Sequence, residues 1–277
     1  MPDLSVLTAI AATLALTAAA GVVATGGWPA GLIAAAAFLV SPLLWSAPPP
    51  ASALYPLPFV SAWLLASGML AQRRTILWAA LAGASLGLGL YASPASVVMM
   101  PAYVVITIVV LAPSRVVTMR QWMVFAATFA LAATPLLVRW VMEPALYRQL
   151  ILSHHLYDAN RFNVLQGVRE VTSWVGLTAR SEVFWDYLNP AFLFVTGRVL
   201  SWPLLVLVPL GMYSIVARDT SLIGRIVLAA FLIAPVAASL PAEPPIRARI
   251  AWILPGASLL AVYGVEFVRQ LGRRSRH

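Results

Sequence analysis

The chain has 277 residues, of which 61% are hydrophobic and 10% are charged, and its formal net charge is +9. A mean hydropathy of +0.89 is more than a soluble domain needs to fill a core, so the composition excludes a soluble protein and predicts an integral membrane protein. The lack of cysteine excludes disulfides and thiolate metal sites, and the arginines lie between apolar runs, which favours contacts with membrane lipids over a nucleic-acid surface.

Nine apolar runs of about 17 residues or more follow one another, and each predicts a membrane-spanning helix. The runs are 4–23, 30–45, 54–71, 75–91, 96–111, 122–138, 191–217, 222–240 and 250–268. The first run lacks the charged start and the cleavage site of a secretory signal, so we expect a retained helix. The sequence therefore predicts an all-α, polytopic transmembrane helical bundle with about nine spanning helices, in which residues 1–277 form a single domain.

One long polar segment, about 143–189, separates the sixth and seventh runs and holds five of the nine acidic residues. Within it, Val168, Val171 and Trp174 have helical spacing, which indicates an amphipathic helix lying on the bilayer surface. Aromatic residues towards its end are typical of a membrane boundary, and Asn189-Pro190 fits the start of the next helix. We expect an outer loop that contains interfacial helices. The run that follows, 191–217, is long enough either to tilt as one helix or to include an interfacial turn near Gly197-Arg198 and Trp202-Pro203.

The arginines predict the orientation, because short cytoplasmic loops carry an excess of positive charge. The loops or tail that show this excess carry Arg73, Arg74, Arg115, Arg120, Arg218, Arg269, Arg273, Arg274 and Arg276. These segments, including the C-terminus, are therefore predicted to be cytoplasmic. The loops 143–189 and 241–249 are then outside, and counting back nine helices also places Met1 outside.

Three stretches resemble a known family in the same order. The sequence FWDYLNPAFLFVTG at 184–197 resembles the YLSPxFLFxxG segment that closes the outer loop of GT-C glycosyltransferases, the group of protein O-mannosyltransferases and aminoarabinose transferases. The hairpin 78–101, WAALAGASLGLGLYASPASVVMMP, resembles a hairpin that recurs in the same family, and the segment 232–268, with its arginine-bearing loop, resembles the closing segment of that family.

The resemblance implies a glycosyltransferase that moves a hexosyl or pentosyl group from a polyprenyl-phosphate carrier to an acceptor. The reaction would take place at the outer face of a bacterial inner membrane, without a cofactor. The chain departs from the family because it begins at what would be the second helix, so the first helix and the catalytic outer loop are expected to be missing. Arg198 also replaces the acidic residue that usually follows FLFxxG.

Sugar transfer from a lipid phosphate needs cations that bind the leaving phosphate. Arg247 and Arg249 are the candidates, because they lie in a proline-rich outer loop where positive charge opposes the orientation bias. Arginine can also bind phosphate through two parallel hydrogen bonds. Arg198 is a further candidate, and all three arginines could instead contact lipid headgroups.

The transfer also needs a carboxylate that deprotonates the acceptor. The candidates are Asp158, Asp186 and Asp3. Asp158 follows His154 and His155, which are candidates for substrate binding. No metal site is predicted, because two adjacent histidines do not face one side of a helix and no third ligand has a recognisable spacing.

Two other functions compete with the transferase. A chain that keeps the fold without the active carboxylate would be a non-catalytic membrane scaffold or a partner subunit. A transporter is disfavoured, because no predicted spanning helix has an acidic residue near its centre and no inverted repeat is visible.

Overall fold

The computed structural model of the chain describes residues 4–45, 51–143, 164–218, 221–241 and 243–274. Every regular element within these ranges is helical, so the all-α prediction is confirmed for the described residues. The α-helices are α1 (Leu4–Thr25), α2 (Trp28–Leu39), α3 (Ala51–Leu54), α4 (Leu57–Arg73), α5 (Ile76–Gly89), α6 (Ser96–Leu111), α7 (Met119–Met142), α8 (Val164–Val171), α9 (Trp174–Leu188), α10 (Trp202–Ala217), α11 (Leu222–Ile233), α12 (Val236–Ser239) and α13 (Ile253–Arg274). Two 3-10 turns and a π-helix join them, at Pro42–Leu44, Arg247–Ile250 and Ala191–Thr196.

Three helices of the described chain are long and apolar enough to cross a membrane. They are Leu4–Thr25 with 22 residues, Met119–Met142 with 24, and Leu222–Ser239 with 18, the last formed by α11 and α12 together. A helix needs about 20 residues to cross a hydrocarbon core of ~30 Å. These helices support an integral membrane protein, and the count of nine spans stays a prediction.

The second predicted span, 30–45, is shorter as a helix than the apolar run suggests. Helix α2 has 12 residues, which corresponds to about 18 Å. Ser41 is extended, with φ −68° and ψ 121°, and a 3-10 turn begins at Pro42. The proline explains the early end, because its ring disfavours helical backbone at the residue before it.

The seventh predicted span, 191–217, consists of two elements and not of one helix. The π-helix Ala191–Thr196 ends at Gly197, and Arg198 has a left-handed backbone with φ 49°. Helix α10 then begins with Pro203 in its first turn, where a missing N–H is tolerated. Of the two alternatives for this run, one tilted helix or an interfacial turn, the structure has the turn.

The described part of the polar loop contains α8 and α9, so the prediction of helices in this loop is confirmed there. The single helix expected through Val168, Val171 and Trp174 is wrong, because Ser173 caps a new helix and Trp174 is the first residue of α9. Helix α8 ends at Val171, and Ser173 begins α9 by accepting a hydrogen bond from the Gly176 N–H at 3.1 Å. Residues 144–163 lie outside the described part of the chain. A position of α8 on the bilayer surface stays a prediction.

Helix α13 is the central helix of the bundle. All residues of the range 251–264 are buried, as expected for a helix that is apolar on every side. Helix α7 is the opposite case, since only 11% of its apolar window is buried and Leu131 and Val141 are 75% and 80% exposed. The close helix pairs are α5 with α7, α10 with α13, and α1 with α2 and α4.

Several turns that are distant in sequence meet at one end of the bundle, which we call the Arg218 end. The Gln72 amide donates to the Val23 carbonyl at 2.7 Å, which joins the ends of α4 and α1. The Gln121 amide donates to the Arg74 carbonyl and so attaches the start of α7. Arg218 shares a cavity with the turn between α1 and α2.

The opposite end of the bundle is called the Arg249 end. Here Ala53 of α3, Ser93 after α5 and Pro241 after α12 surround Arg249. The sequence predicts the turns with Arg74 and Arg218 on one side of a membrane, and these turns meet at the Arg218 end. The proline-rich loop 241–249 lies at the Arg249 end.

Candidate functional site

A small cavity at the Arg249 end contains one of the predicted phosphate-binding arginines. Its volume is about 140 Å³, and apart from Arg249 its walls are small or apolar. The lining residues are Ala53, Ser93, Pro94, Ala95, Ala237, Ala238, Pro241, Ala248, Arg249 and Trp252. A single guanidinium in such walls suits an anionic group attached to an apolar body.

The local sequence explains why Arg249 points into the bundle. The prolines of the loop 241–249 restrict the backbone, and the 3-10 turn Arg247–Ile250 follows them directly. The Arg249 N–H donates to the Ile246 carbonyl at 3.0 Å. Ile250, the last residue of this turn, is buried, and α13 begins shortly after it at Ile253. The turn therefore holds Arg249 beside the start of the central helix.

Arg249 has an ionic partner within its own loop. Its Nη2 lies 2.8 Å from Oε2 of Glu243, and the two side chains are 29% and 34% exposed. The other terminal nitrogen, Nη1, is buried and has no hydrogen-bond partner among the described residues. A buried donor in this state costs about 1–3 kcal/mol, so Nη1 marks the place where an anionic oxygen would be stabilised.

Tyr187 of α9 supports the same loop from the side. Its side chain is fully buried, and its hydroxyl oxygen accepts a hydrogen bond from the Ile246 N–H at 3.0 Å. Burial raises the pKa of the Tyr187 phenol, while the Ile246 N–H, the positive charge of Arg249 and a hydrogen bond from the Arg249 side chain act in the opposite direction. The phenol therefore stays neutral beside the Arg249 guanidinium.

A second contact joins α9 to the Arg249 end. The Nε of Arg180 donates to the Leu240 carbonyl at 2.9 Å, and its Nη1 donates to the Gly176 carbonyl at 2.9 Å. The pKa of Arg180 is lowered, because desolvation by burial outweighs the opposite effect of the negative charge on Glu170. The polar loop is therefore packed on the bundle at this end through Arg180 and Tyr187.

The remaining sequence-predicted residues are not gathered at this cavity. Arg247 is partly buried in the same 3-10 turn as Arg249 but does not line the cavity. Arg198 is exposed in the turn before α10, and Asp186 is exposed on α9 next to buried Tyr187. The other candidates lie outside the described residues, and they are Asp3, His154, His155 and Asp158.

Sequence reasoning did not identify Glu243 and Tyr187 as partners of Arg249. Tyr187 is one of the aromatic residues near the end of the polar segment, whose pattern indicates only a membrane boundary, and the hydrogen bond that it makes spans 59 positions. Glu243 offered a local signal, since an acidic residue six positions before an arginine in a proline-restricted loop can fold back onto it. No group of three or more metal-binding side chains occurs within the described residues.

The floor of the cavity is aromatic. Trp252, which is 4% exposed, lines the cavity, and its ring centroid lies 6.3 Å from that of Tyr103. Tyr103 stacks on Trp63 at 4.6 Å, so a row of rings leads from the cavity into the core. The site can hold an anionic head against a rigid apolar base.

No protein-family model, no curated protein and no solved structure matches this chain.

Proposed function

We propose that the chain is a multi-pass membrane protein that binds the phosphate of a polyprenyl-phosphate-linked sugar at the Arg249 end. The observation that carries this proposal is Nη1 of Arg249, a buried donor without a hydrogen-bond partner among the described residues, beside a cavity with apolar walls. A phosphate oxygen would satisfy Nη1 with a charge-assisted hydrogen bond. Arg247, in the same turn, would add a second positive charge near the ligand.

The shape of the site supports a lipid-linked phosphate over a free one. Apart from Arg249, the cavity is lined by alanine, proline and serine and by Trp252, which offers few polar groups to a hydrophilic ligand. An isoprenoid chain could remain in the bilayer while its phosphate reaches the guanidinium. Such a division of an apolar body and a charged head is typical of amphipathic ligands.

The membrane arrangement that we propose has nine spans. It places the Arg218 end in the cytoplasm and the Arg249 end with the loop 143–189 outside. The arginine bias supports this orientation, and the exposed apolar face of α7 supports contact with lipid. The site would then lie at the outer face of a bacterial inner membrane.

The reaction that we propose is GT-C-type transfer of the sugar to an acceptor. Bound phosphate would be the leaving group, and Arg249 would stabilise its developing charge. The acceptor would need a carboxylate base, for which Asp158, Asp186 and Asp3 remain the candidates. The three stretches that resemble GT-C transferases in the same order support this reaction.

A non-catalytic scaffold or partner subunit is the second candidate function, and one observation favours it. Glu243 is a carboxylate that lies directly beside Arg249, and its negative charge is already paired with that arginine. A carboxylate oxygen held against a guanidinium is directed at that cation and not at an acceptor hydroxyl. A chain that binds the lipid phosphate without transferring the sugar would fit this arrangement.

Binding of undecaprenyl phosphate to the purified full-length protein in detergent tests the proposal. Arg249→Lys keeps the charge but loses the paired donors, and Arg249→Gln loses both. We expect affinity to fall about 10-fold or more for Arg249→Lys and further for Arg249→Gln, since a hydrogen bond to a charged group contributes about 1.5–3 kcal/mol. Arg120→Lys and Arg120→Gln, at an exposed arginine on α7, are the matched controls.

The proposal would be rejected if all four variants bound undecaprenyl phosphate as the original protein does while their thermal unfolding midpoints stayed within about 2 °C of it. Release of sugar from a polyprenyl-phosphate sugar then separates the two candidate functions. Turnover that Arg249→Lys slows supports the transferase. Tight binding without turnover supports the scaffold.

A further inference from the structure

A larger cavity lies at the Arg218 end, at the opposite side of the bundle from the site described above. Its volume is about 440 Å³, within the range of small-molecule sites. The turn between α1 and α2 forms one wall through Gly27 and Pro29, and the end of α10 and the last turns of α13 form the others. The charged residues that line it are Arg218, Glu266 and Arg269.

Arg218 lies over an aromatic ring in this cavity. The centre of its guanidinium lies 4.5 Å from the centroid of the Phe267 ring. Tyr213 packs edge-on against the same ring at 5.5 Å. A cation over an aromatic face is attracted to it, and a guanidinium in this position can still donate hydrogen bonds to a phosphate.

Glu266 and Arg269 are only loosely paired. The distance from Nη1 of Arg269 to Oε2 of Glu266 is 3.5 Å, and the side chains are 55% and 34% exposed. A hydrogen bond of full strength between such groups would be about 2.7–2.9 Å. Both groups can therefore turn towards a ligand at little energetic cost.

The cavity presents both signs of charge. Two arginines and the N-terminus of α2 favour an anion, but Glu266 and the carboxyl ends of α1 and α10, which carry partial negative charge, favour a cation. A purely anionic ligand would bind the positive groups and leave Glu266 facing it. A ligand with a phosphate and an ammonium a few ångströms apart would satisfy the two sets of groups together.

We propose that this cavity binds a phosphate ester that carries a primary ammonium, as in a phosphoethanolamine headgroup. Arg218 and Arg269 bind the phosphate, and Glu266 binds the ammonium. This group can come from a membrane phospholipid or from a soluble aminoalkyl phosphate. Trp28, which is 72% exposed and adjoins the Gly27 wall, is the kind of side chain that lies at a lipid headgroup layer. The inference does not depend on the proposed function of the Arg249 end.

Binding of defined lipids to the purified full-length protein tests this inference. Short-chain phosphatidylethanolamine, phosphatidylglycerol and phosphatidylcholine are compared, because they differ in their headgroup charge and hydrogen-bond donors. We expect phosphatidylethanolamine to bind about 10-fold more tightly than phosphatidylglycerol. Glu266→Gln should remove this preference without weakening phosphatidylglycerol binding, whereas Arg218→Gln should weaken both lipids about 10-fold.

Arg120→Gln and Glu143→Gln are the matched controls, because both side chains are exposed and neither lines the cavity. Soluble phosphoethanolamine is the second arm, and its binding in place of the lipid would identify a soluble ligand as the source. A preference for phosphatidylethanolamine that survives Glu266→Gln would overturn the inference. So would a failure of both the lipid and soluble phosphoethanolamine to bind.

Discussion

At the residue scale, Arg249 is placed by contacts from two directions. Glu243 neutralises one side of the guanidinium at 2.8 Å, and Tyr187 anchors the loop through Ile246. The other terminal nitrogen, Nη1, is buried without a partner among the described residues. An ion pair that is partly buried gains from its short distance but keeps a desolvation cost. The pair therefore holds Arg249 in position and also competes with any anion that approaches it.

Glu243→Gln tests this competition. Loss of the carboxylate should raise the affinity for undecaprenyl phosphate about 3-fold to 10-fold, because a half-exposed charge partner contributes about 1 kcal/mol. The measurement is the dissociation constant in detergent at low salt. Glu182→Gln, at an exposed position on α9, is the control and should leave the affinity unchanged. Weaker binding by Glu243→Gln would mean that Glu243 orients Arg249 for the ligand and does not compete with it.

At the element scale, the bundle depends on helices whose backbones come very close. Between α10 and α13, the contact is reciprocal: a Cβ added at Gly211 would meet the Leu260 carbonyl, and one added at Gly264 would meet the Leu207 carbonyl. Small residues at such crossings allow van der Waals contact between helices in lipid, where no hydrophobic force favours association. The packed pair α5 and α7 uses Gly87 in the same way, since its added Cβ would lie 2.6 Å from the Ala132 Cβ.

Gly264→Ala and Gly211→Ala should each destabilise the protein by about 1–3 kcal/mol, because an extra methyl group forces the helices apart. Gly272→Ala is the matched control on α13, since nothing lies within 4 Å of its added Cβ. This control should leave stability unchanged or raise it by up to about 1 kcal/mol through helix propensity. Thermal unfolding in detergent measures all three variants, and equal midpoints would show that the α10 and α13 crossing adjusts freely.

At the scale of the whole molecule, the two ends of the bundle differ in the turns and helices that they carry. The Arg218 end gathers the turns that carry Arg74 and Arg218 together with the end of α13. The Arg249 end carries the polar loop helices, which are attached through Arg180 and Tyr187. This division agrees with a chain that crosses a membrane with its arginine-rich turns in the cytoplasm.

Cysteine labelling tests the orientation directly, because the chain has no native cysteine. A cysteine at Thr172, which is exposed between α8 and α9, should react with a membrane-impermeant maleimide in intact cells. A cysteine at Gly272, exposed near the end of α13, should react only after the membrane is opened. The opposite pattern would invert the orientation and place the Arg249 end inside.

The sequence by itself determined that the protein is helical and apolar enough for a membrane and that helices lie in the polar loop, and it offered a turn near Gly197 and Pro203 as one of two alternatives. Those properties follow from local composition, periodicity and proline or glycine positions, which act over a few residues. The apolar run 30–45 did not predict the true length of α2, because Pro42 ends the helical backbone before the run ends. For the candidate site, the sequence predicted which arginines could bind phosphate, but it did not predict the side chains and the cavity around them.

Only the tertiary structure decided which candidate arginine lines a cavity and which groups hold it. It placed Arg249 in the wall and left Arg198 and Asp186 exposed. The physical reason is sequence separation: the contacts that build this end join positions 59 and 60 residues apart, through Tyr187 and Arg180. Such contacts depend on how whole helices pack, and no local pattern of residues encodes them.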